Sequence, residues 1–265
     1  MDNVFLLKLL VSFVIGGVWV IAATVLADKF GSKVGGLVAG LPSTVMFGLF
    51  FLAWTQNNHA AVQATTIIPI IGGINCLFLV SYIFLIKTKK IWTSLLASLS
   101  LWGLLSFGLI LLKFDNYFFS IVGYILSLIL SYYLLEYVLR VQSLSGKKQK
   151  YTRSIILMRG LISGFIIAFS VYIGKVGGPI LGGMFSMFPA MFISTILITY
   201  FSQGPLFSAA TMKSSMLSGI SIVIYSVLVR YTYTSMGILW GTLVSLVGSF
   251  LSGFVMYKFV VTKLK

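Results

Sequence analysis

The sequence has few of the residues that carry chemistry in enzymes and metalloproteins. Among 265 residues there are four acidic residues, one histidine and one cysteine. The acids Asp2, Asp28, Asp115 and Glu136 are scattered, and together with lone His59 and Cys76 they cannot easily form a metal site or a catalytic triad. A CxxC pair and a phosphate-cradling motif are also missing. The sequence therefore predicts a protein that is not an enzyme, with no catalytic residue, metal or cofactor.

Charge is scarce as well, at 9% of residues, whereas 59% are hydrophobic and the mean hydropathy is +1.07. A soluble domain has about 25% charged residues. The long apolar runs favour helices over the alternating strands of a barrel. The sequence predicts an all-α polytopic membrane protein with about nine transmembrane helices. Their approximate bounds are 4–27, 32–54, 60–86, 91–112, 117–139, 155–174, 177–201, 206–229 and 235–259.

In a soluble protein, the net charge of +15 would suggest nucleic acid as the partner. In a membrane protein, basic residues in the loops determine the orientation of the chain across the membrane. Thirteen of the nineteen basic residues fall in one set of predicted loops and four in the other. Since basic loops stay inside, we expect a multi-pass protein of the cell (inner) membrane, with the amino terminus outside, the carboxyl terminus cytoplasmic and no nucleic-acid partner. The first segment is expected to be a retained span, because Asp2 replaces the basic start of a signal peptide.

One stretch occurs twice. GSKVGGLVAGLPST from Gly31 returns as GPILGGMFSMFPAM from Gly178, which is a shift of 147 residues. The ungapped identities fall mostly on residues that shape the backbone. They pair Gly31, Gly35, Gly36, Pro42, Gln56 and Gly72 with Gly178, Gly182, Gly183, Pro189, Gln203 and Gly219. The first span also resembles the sixth, as LLKLLVSFVI compared with LMRGLISGFI.

The two copies begin five spans apart. Because five is odd, the second copy is upside down in the membrane. We predict a first four-helix repeat at 1–113, a connector helix and basic cytoplasmic loop at 114–154, and an inverted four-helix repeat at 155–265. Inverted repeats are typical of secondary transporters, whose site lies at the midplane between the copies.

The candidate substrate-binding residues lie where a proline interrupts a predicted transmembrane helix at the same position in both copies. Pro42 and Pro189 fall near the bilayer centre, where proline removes a donor and breaks or kinks a helix. Ser43 and Thr44 follow the first proline, and Ser186 precedes the second. Such hydroxyls can satisfy freed backbone groups or contact a ligand. The alternative is an ordinary kink with close helix packing.

Lys213 is the lysine placed well inside a predicted span. An intramembrane charge is expensive and favours a functional role, although its stem could also extend back to the interface. The scarcity of acids argues against carboxylate-based proton or metal-ion transport. A lysine and helix N-termini at the midplane favour an anionic group.

The stretch GGMFSMFPAMFISTILITYFSQGPLFSA resembles the GlpM/YdgC-like family of small inner-membrane proteins. The matching positions are Gly182, Gly183, Phe188, Pro189 and Gly204. The resemblance covers roughly 155–260, and more weakly 4–113, where Leu41-Pro42 replaces Phe-Pro. It implies a fused, inverted duplicate of a four-span unit, and a link to envelope polysaccharide.

These patterns favour a small secondary transporter or flippase-like permease for an anionic solute or lipid-linked substrate. Its partners would be that solute and membrane lipid, and homo-oligomer formation is left open. The alternative is a non-transporting membrane subunit that scaffolds cell-envelope assembly. A channel and an intramembrane enzyme are further options. A water-accessible cavity reaching Ser43, Ser186 or Lys213 would favour transport.

Overall fold

Over the residues that the structure describes, the chain folds into helices. A computed structural model describes residues 3–29, 42–142 and 152–263, and over these ranges it contains no strand. The glycine-rich approach to Pro42 and most of the predicted basic loop lie outside the described residues. The helices are α1 Asn3–Lys29, α2 Ser43–Thr55, α3 Asn58–Ala64, α4 Ile68–Leu85, α5 Ile91–Leu111, α6 Tyr117–Tyr133 with a π-helical turn Leu134–Val138, α7 Arg153–Val176, α8 Pro179–Ser186, α9 Ala190–Gln203, α10 Pro205–Ser218 and α11 Ile220–Lys263.

Seven of the described helical segments are long and apolar enough to cross a membrane. This confirms a helical membrane protein. The sequence predicts nine transmembrane helices, and this number differs from the seven segments for two reasons. One is that α2, which begins at Ser43 after the non-helical Pro42, has 13 residues and is too short to count, while the first half of the predicted second span lies outside the described residues. The other is that the segment Pro205–Met256 counts once although it reverses direction.

The reversal lies at Gly237, where φ is +76° and ψ is 180°. The two arms, 220–236 and 238–263, pack antiparallel. The Ser249 hydroxyl donates to the Ser221 carbonyl at 2.8 Å, and the Thr232 and Ser245 hydroxyls are 2.9 Å apart. The predicted eighth and ninth spans therefore form a helical hairpin.

Gly237→Ala is expected to destabilise this hairpin by about 1–3 kcal/mol, because this backbone conformation is essentially restricted to glycine. Thermal unfolding in detergent measures the loss. The matched control is Gly253→Ala in the same hairpin, where an added Cβ would make only an ordinary 3.6 Å contact with Ser221. Equal unfolding temperatures for the two variants would contradict the prediction.

Local chemistry sets several helix starts. The side chains of Asn57 and Asn116 accept hydrogen bonds from the amides of Ala60 and Phe119, at 2.8 and 3.1 Å. Such caps satisfy amides that the first helical turn leaves open. Proline occupies the first turn of α8 and α10, where its missing N–H costs nothing.

Three interruptions divide longer segments. The chain leaves the helix between α8 and α9 at Met187–Pro189, between α3 and α4 at residues 65–67, and between α10 and α11 at Gly219. The largest cluster of buried side chains lies around these interruptions and includes Ile67, Ile71, Met187 and Met216. The interruptions are thus in the protein interior.

Candidate functional site

The helices α1 and α7 pack closely against each other where glycines from both helices meet. A Cβ on Gly164 would lie 2.5 Å from the Phe13 carbonyl oxygen and 3.3 Å from the Cα atom of Gly17. A Cβ on Gly17 would lie 2.9 Å from the Gly160 carbonyl oxygen. Later residues of α1 face earlier residues of α7, so the two helices run antiparallel and their backbones touch.

A second antiparallel pairing joins α3–α4 to α10–α11. At one end the Asn58 side-chain amide donates to the Tyr233 carbonyl at 2.8 Å. At the other end the hydroxyls of Tyr82 and Ser208 are 2.9 Å apart. The middle of this pairing contains Gly72 and the interruption at Gly219.

A cavity of about 20 Å³ lies at that middle point. Four elements surround it: α4, α6, the α8–α9 interruption and the α10–α11 interruption. Space of this size holds about one water molecule. The lining residues are Gly72, Asn75, Cys76, Leu79, Tyr124, Met187, Phe192, Met216, Gly219 and Ile222.

Two polar side chains give this cavity its chemistry. The Asn75 amide donates to the Met187 carbonyl at 3.0 Å, at the point where α8 has ended. The Asn75 Oδ1 atom and the Tyr124 hydroxyl are buried and have no hydrogen-bond partner among the described residues. Since unpaired buried polar groups are costly, one acceptor and one donor are available here for a small polar guest.

Pro42, Ser43 and Thr44 begin α2. Pro42 immediately precedes the helix with φ −75° and ψ 49°, and Ser43 is buried whereas Thr44 is partly exposed. None of the three lines the cavity.

Pro189 and Ser186 border the α8–α9 interruption. Pro189 precedes α9 with φ −77° and ψ 35°, close to the values at Pro42. Buried Ser186 donates its hydroxyl to the Gly183 carbonyl at 2.7 Å and packs on Gly48 of α2, whose added Cβ would lie 2.9 Å from the Ser186 Cβ. The structure thus brings Ser186 against α2, while Met187 next to it is what reaches the cavity.

Lys213 is buried and paired. Its ammonium lies 2.6 Å from a Glu136 carboxylate oxygen and donates to the Val141 carbonyl at 2.6 Å. Sequence reasoning found no acid near Lys213, because Glu136 lies in another span. Lys213 does not line the cavity.

Arg230 is a second basic residue inside the helical bundle. It donates to the Val62 carbonyl at 3.3 Å and to the Thr65 and Thr66 hydroxyls at 3.2 Å each. Its guanidinium carbon is 4.1 Å above the Tyr117 ring. Carbonyl, hydroxyl and aromatic groups together solvate this cation at the α3–α4 interruption.

Sequence reasoning missed Tyr124, Cys76 and Glu136 as members of this region. Asn75 is a polar residue within an apolar run, a pattern that predicts either an interhelical hydrogen bond or a cavity lining, and in the structure it provides both. In the described ranges no three His, Cys, Asp or Glu side chains come together as a metal site would need.

An open groove of about 380 Å³ lies elsewhere, between α1 and α7. Its lining is apolar except for the Tyr172 hydroxyl. The residues are Leu6, Leu9, Leu10, Phe13, Phe165, Ala168, Phe169 and Tyr172. Such a surface suits a lipid acyl chain.

Comparison with known proteins gives a single family match. A family model described as "Protein of unknown function (DUF3147)" matches residues 9–114, which begin within α1 and end three residues beyond α5. No curated protein and no solved structure matches the chain. The match concerns an uncharacterised family, so the relationship to GlpM/YdgC-like proteins stays a prediction.

Proposed function

We propose that this protein is a small secondary transporter of the cell membrane, built from two inverted four-helix repeats, with its substrate site in the cavity between them. The observation that carries the proposal is the cavity at Gly72 and Gly219, where the repeats meet and two buried polar groups have no partner among the described residues. No catalysis and no cofactor form part of the proposal.

Helix boundaries support the repeat. α2 begins at Ser43 and α9 at Ala190, while α3 begins at Asn58 and α10 at Pro205. Each pair is 147 residues apart, which is the shift of the sequence repeat. The residue after the Gly237 reversal, Ile238, is 147 residues after Ile91, the first residue of α5.

Contacts related by the same shift support the inverted arrangement. The approach of Gly164 to Phe13 becomes the approach of Gly17 to Gly160 when each number is moved by 147, and both contacts exist. Gly72 and Gly219 are also equivalent under the shift, and both line the cavity. Equivalent residues meet only at a local two-fold axis, which for inverted repeats lies in the membrane plane.

The proposed membrane arrangement has nine crossings, with the amino terminus outside and the carboxyl terminus cytoplasmic. Gly164, which packs on Gly17, lies within two residues of the middle of α7, and Gly72 is central in Asn58–Leu85. These positions support a two-fold axis at the bilayer midplane. The lipid that we expect as a partner would contact the apolar groove between α1 and α7.

The cavity's chemistry favours a small, uncharged, hydrogen-bonding solute. Asn75 Oδ1 offers an acceptor and the Tyr124 hydroxyl a donor, and none of the lining side chains is acidic or basic. The expectation of an anionic solute rests on helix N-termini at the midplane and on the charge of Lys213. That charge is balanced by Glu136, so the anion has less support than a neutral solute.

A second candidate, the non-transporting subunit that scaffolds envelope assembly, is favoured by one observation. The cavity holds about one water molecule, less than a metabolite needs. A transporter must therefore open from this closed state on each side in turn, whereas a scaffold has no reason to open.

Native Cys76 tests the two functions directly, because it is the single cysteine and lines the cavity. For a transporter we expect a membrane-impermeant methanethiosulfonate to label Cys76 slowly from each side of oriented vesicles. The slow rate would reflect a minor open population. Absence of labelling from both sides would refute the transporter and favour the scaffold.

Two kinds of control belong to this experiment. Cys76→Ser removes the signal. In that background, Ser98→Cys offers an equally buried thiol, outside the cavity, that should stay unlabelled. Cysteines at exposed His59 and Ser202 should label only from outside and only from inside, respectively, which also tests the proposed orientation.

A further inference from the structure

Two basic residues on one segment lie on opposite sides of the cavity. Lys213 in α10 and Arg230 in α11 are 17 residues apart, or about 25 Å along a helix. Met216, Gly219 and Ile222, which line the cavity, lie between them. Each cation contacts other segments of the chain. Contacts between segments therefore exist on both sides of the cavity along the α10–α11 segment.

Both cations contact the same partner helix, α6, at its two ends. Arg230 lies over Tyr117, the first residue of α6. Lys213 pairs with Glu136 in the π-helical turn and bonds to Val141 just beyond it. Tyr124, between these ends, lines the cavity and has a buried hydroxyl with no partner among the described residues. The helix that forms one part of the cavity lining therefore makes a contact at each of its ends with the segment that forms another part.

The backbone at the Glu136 end departs from a regular helix. The turn Leu134–Val138 is π-helical, and Arg140 follows with φ +46°, an uncommon value for a residue other than glycine. Lys87 donates to the Leu139 carbonyl at 2.7 Å. Two lysines thus satisfy carbonyls that end α6, and π-helical turns are often found at functional sites.

We propose that these two sets of contacts are the gates of the cavity. The Lys213–Glu136–Val141 contact is the inner gate, and the Arg230 contact with Tyr117, Thr65 and Thr66 is the outer gate. Opening one gate separates α6 from α10–α11 at that end only, while the other end stays fastened. The inference rests on the proposed function and adds to it the residues that control access from each side.

Side-specific labelling of Cys76 tests this directly. Lys213→Gln and Glu136→Gln each remove the inner ion pair, and we expect labelling from the cytoplasmic side to rise about tenfold with the outside rate unchanged, because only the inner closed state loses a contact. Arg230→Gln should raise the outside rate by a similar factor and leave the cytoplasmic rate unchanged. Matched controls are Lys89→Gln and Lys113→Gln, which change exposed lysines and should alter neither rate.

A general loosening of the fold would raise both rates together, and that result would overturn the gates. Lys213→Arg keeps the charge and can donate both to Glu136 and to the Val141 carbonyl, so it should keep cytoplasmic labelling slow, and fast labelling of this variant would refute the ion pair as the closing contact. Should the wild-type protein label from both sides while the gate variants leave its rates unchanged, the gates are wrong and the transporter stands. Cys76 that is never labelled, in the wild type or in any gate variant, would refute the gates and the transporter together.

Discussion

Gly164→Ala is expected to cause a large loss of stability. The added methyl group would lie 2.5 Å from the Phe13 carbonyl oxygen and 3.3 Å from the Gly17 Cα atom. Both are backbone atoms, so no side chain can rotate away and the two helices must separate. Overpacking of this kind costs about 1–3 kcal/mol, and occasionally more. The unfolding temperature in detergent measures the effect. Unfolding is monitored as the loss of the monodisperse peak in size-exclusion chromatography after heating.

The chain provides controls of the same chemistry. Gly103 and Gly108 lie within α5, and a Cβ at either position would meet nothing within 4 Å. Alanine is a better helix former than glycine by about 1 kcal/mol, so Gly103→Ala and Gly108→Ala should unfold at the wild-type temperature or above it. If Gly164→Ala behaved as these controls do, the close crossing of α1 and α7 would not contribute to stability.

The helix interruption at Pro189 shows what local sequence can predict. Proline lacks an N–H donor and clashes with the preceding turn, so the end of α8 at Ser186 and the start of α9 at Ala190 follow from residues within a few positions. The apolar helical character of the chain is equally local, because composition determines it. The corresponding approach to Pro42 lies outside the described residues.

The lining of the cavity could not be predicted in this way. Asn75, Tyr124 and Met187 come from three segments that meet only through tertiary packing. Similarly, Glu136 and Lys213 are 77 residues apart in sequence, and Glu136 lay near a predicted span end, where an acid needs no partner. Sequence patterns place residues at a depth in the membrane, but they do not tell which helix faces which.

The alignment of the first span with the sixth shows a second limit of prediction from sequence. Comparison of LLKLLVSFVI with LMRGLISGFI aligns Lys8 with Arg159, a shift of 151 residues. In the structure Gly17 and Gly164 each approach the backbone of the other helix, and these two residues are 147 apart. Leucine, isoleucine and valine replace one another readily on lipid-facing surfaces, so similarity among them fixes a register poorly. Gly17 and Gly164, which touch backbone to backbone, fix it well.

Two basic residues within the bundle form hydrogen bonds that connect different helices. Lys213 and Arg230 both bond to backbone carbonyls of other segments, and only Lys213 has a carboxylate within ion-pair distance among the described residues. Lys213 is buried and Arg230 is half-buried. A cation whose bonds are satisfied by protein groups has little capacity left for a ligand. The neutral cavity is therefore the better candidate for binding, and the cations are better candidates for controlling its access.

Lys213→Met is expected to destabilise the protein by about 1–3 kcal/mol. The loss of one partner from a fully buried ion pair costs about 3–5 kcal/mol, but the Glu136 side chain is 30% exposed, and water reduces the penalty. Methionine has a similar length, so packing changes little. The Val141 carbonyl also loses its donor. Unfolding in detergent, with Lys89→Met as the exposed control, measures the difference.

The double variant Lys213→Met with Glu136→Gln separates charge from packing. It leaves no unpaired carboxylate in the protein interior, so it should recover more than half of the stability that Lys213→Met loses, and the coupling between the two sites measures the interaction of the pair. Additive losses would mean that the 2.6 Å contact contributes no interaction energy. In that case the contact could not hold the inner end of α6 closed, and any gating there would have to come from apolar packing alone.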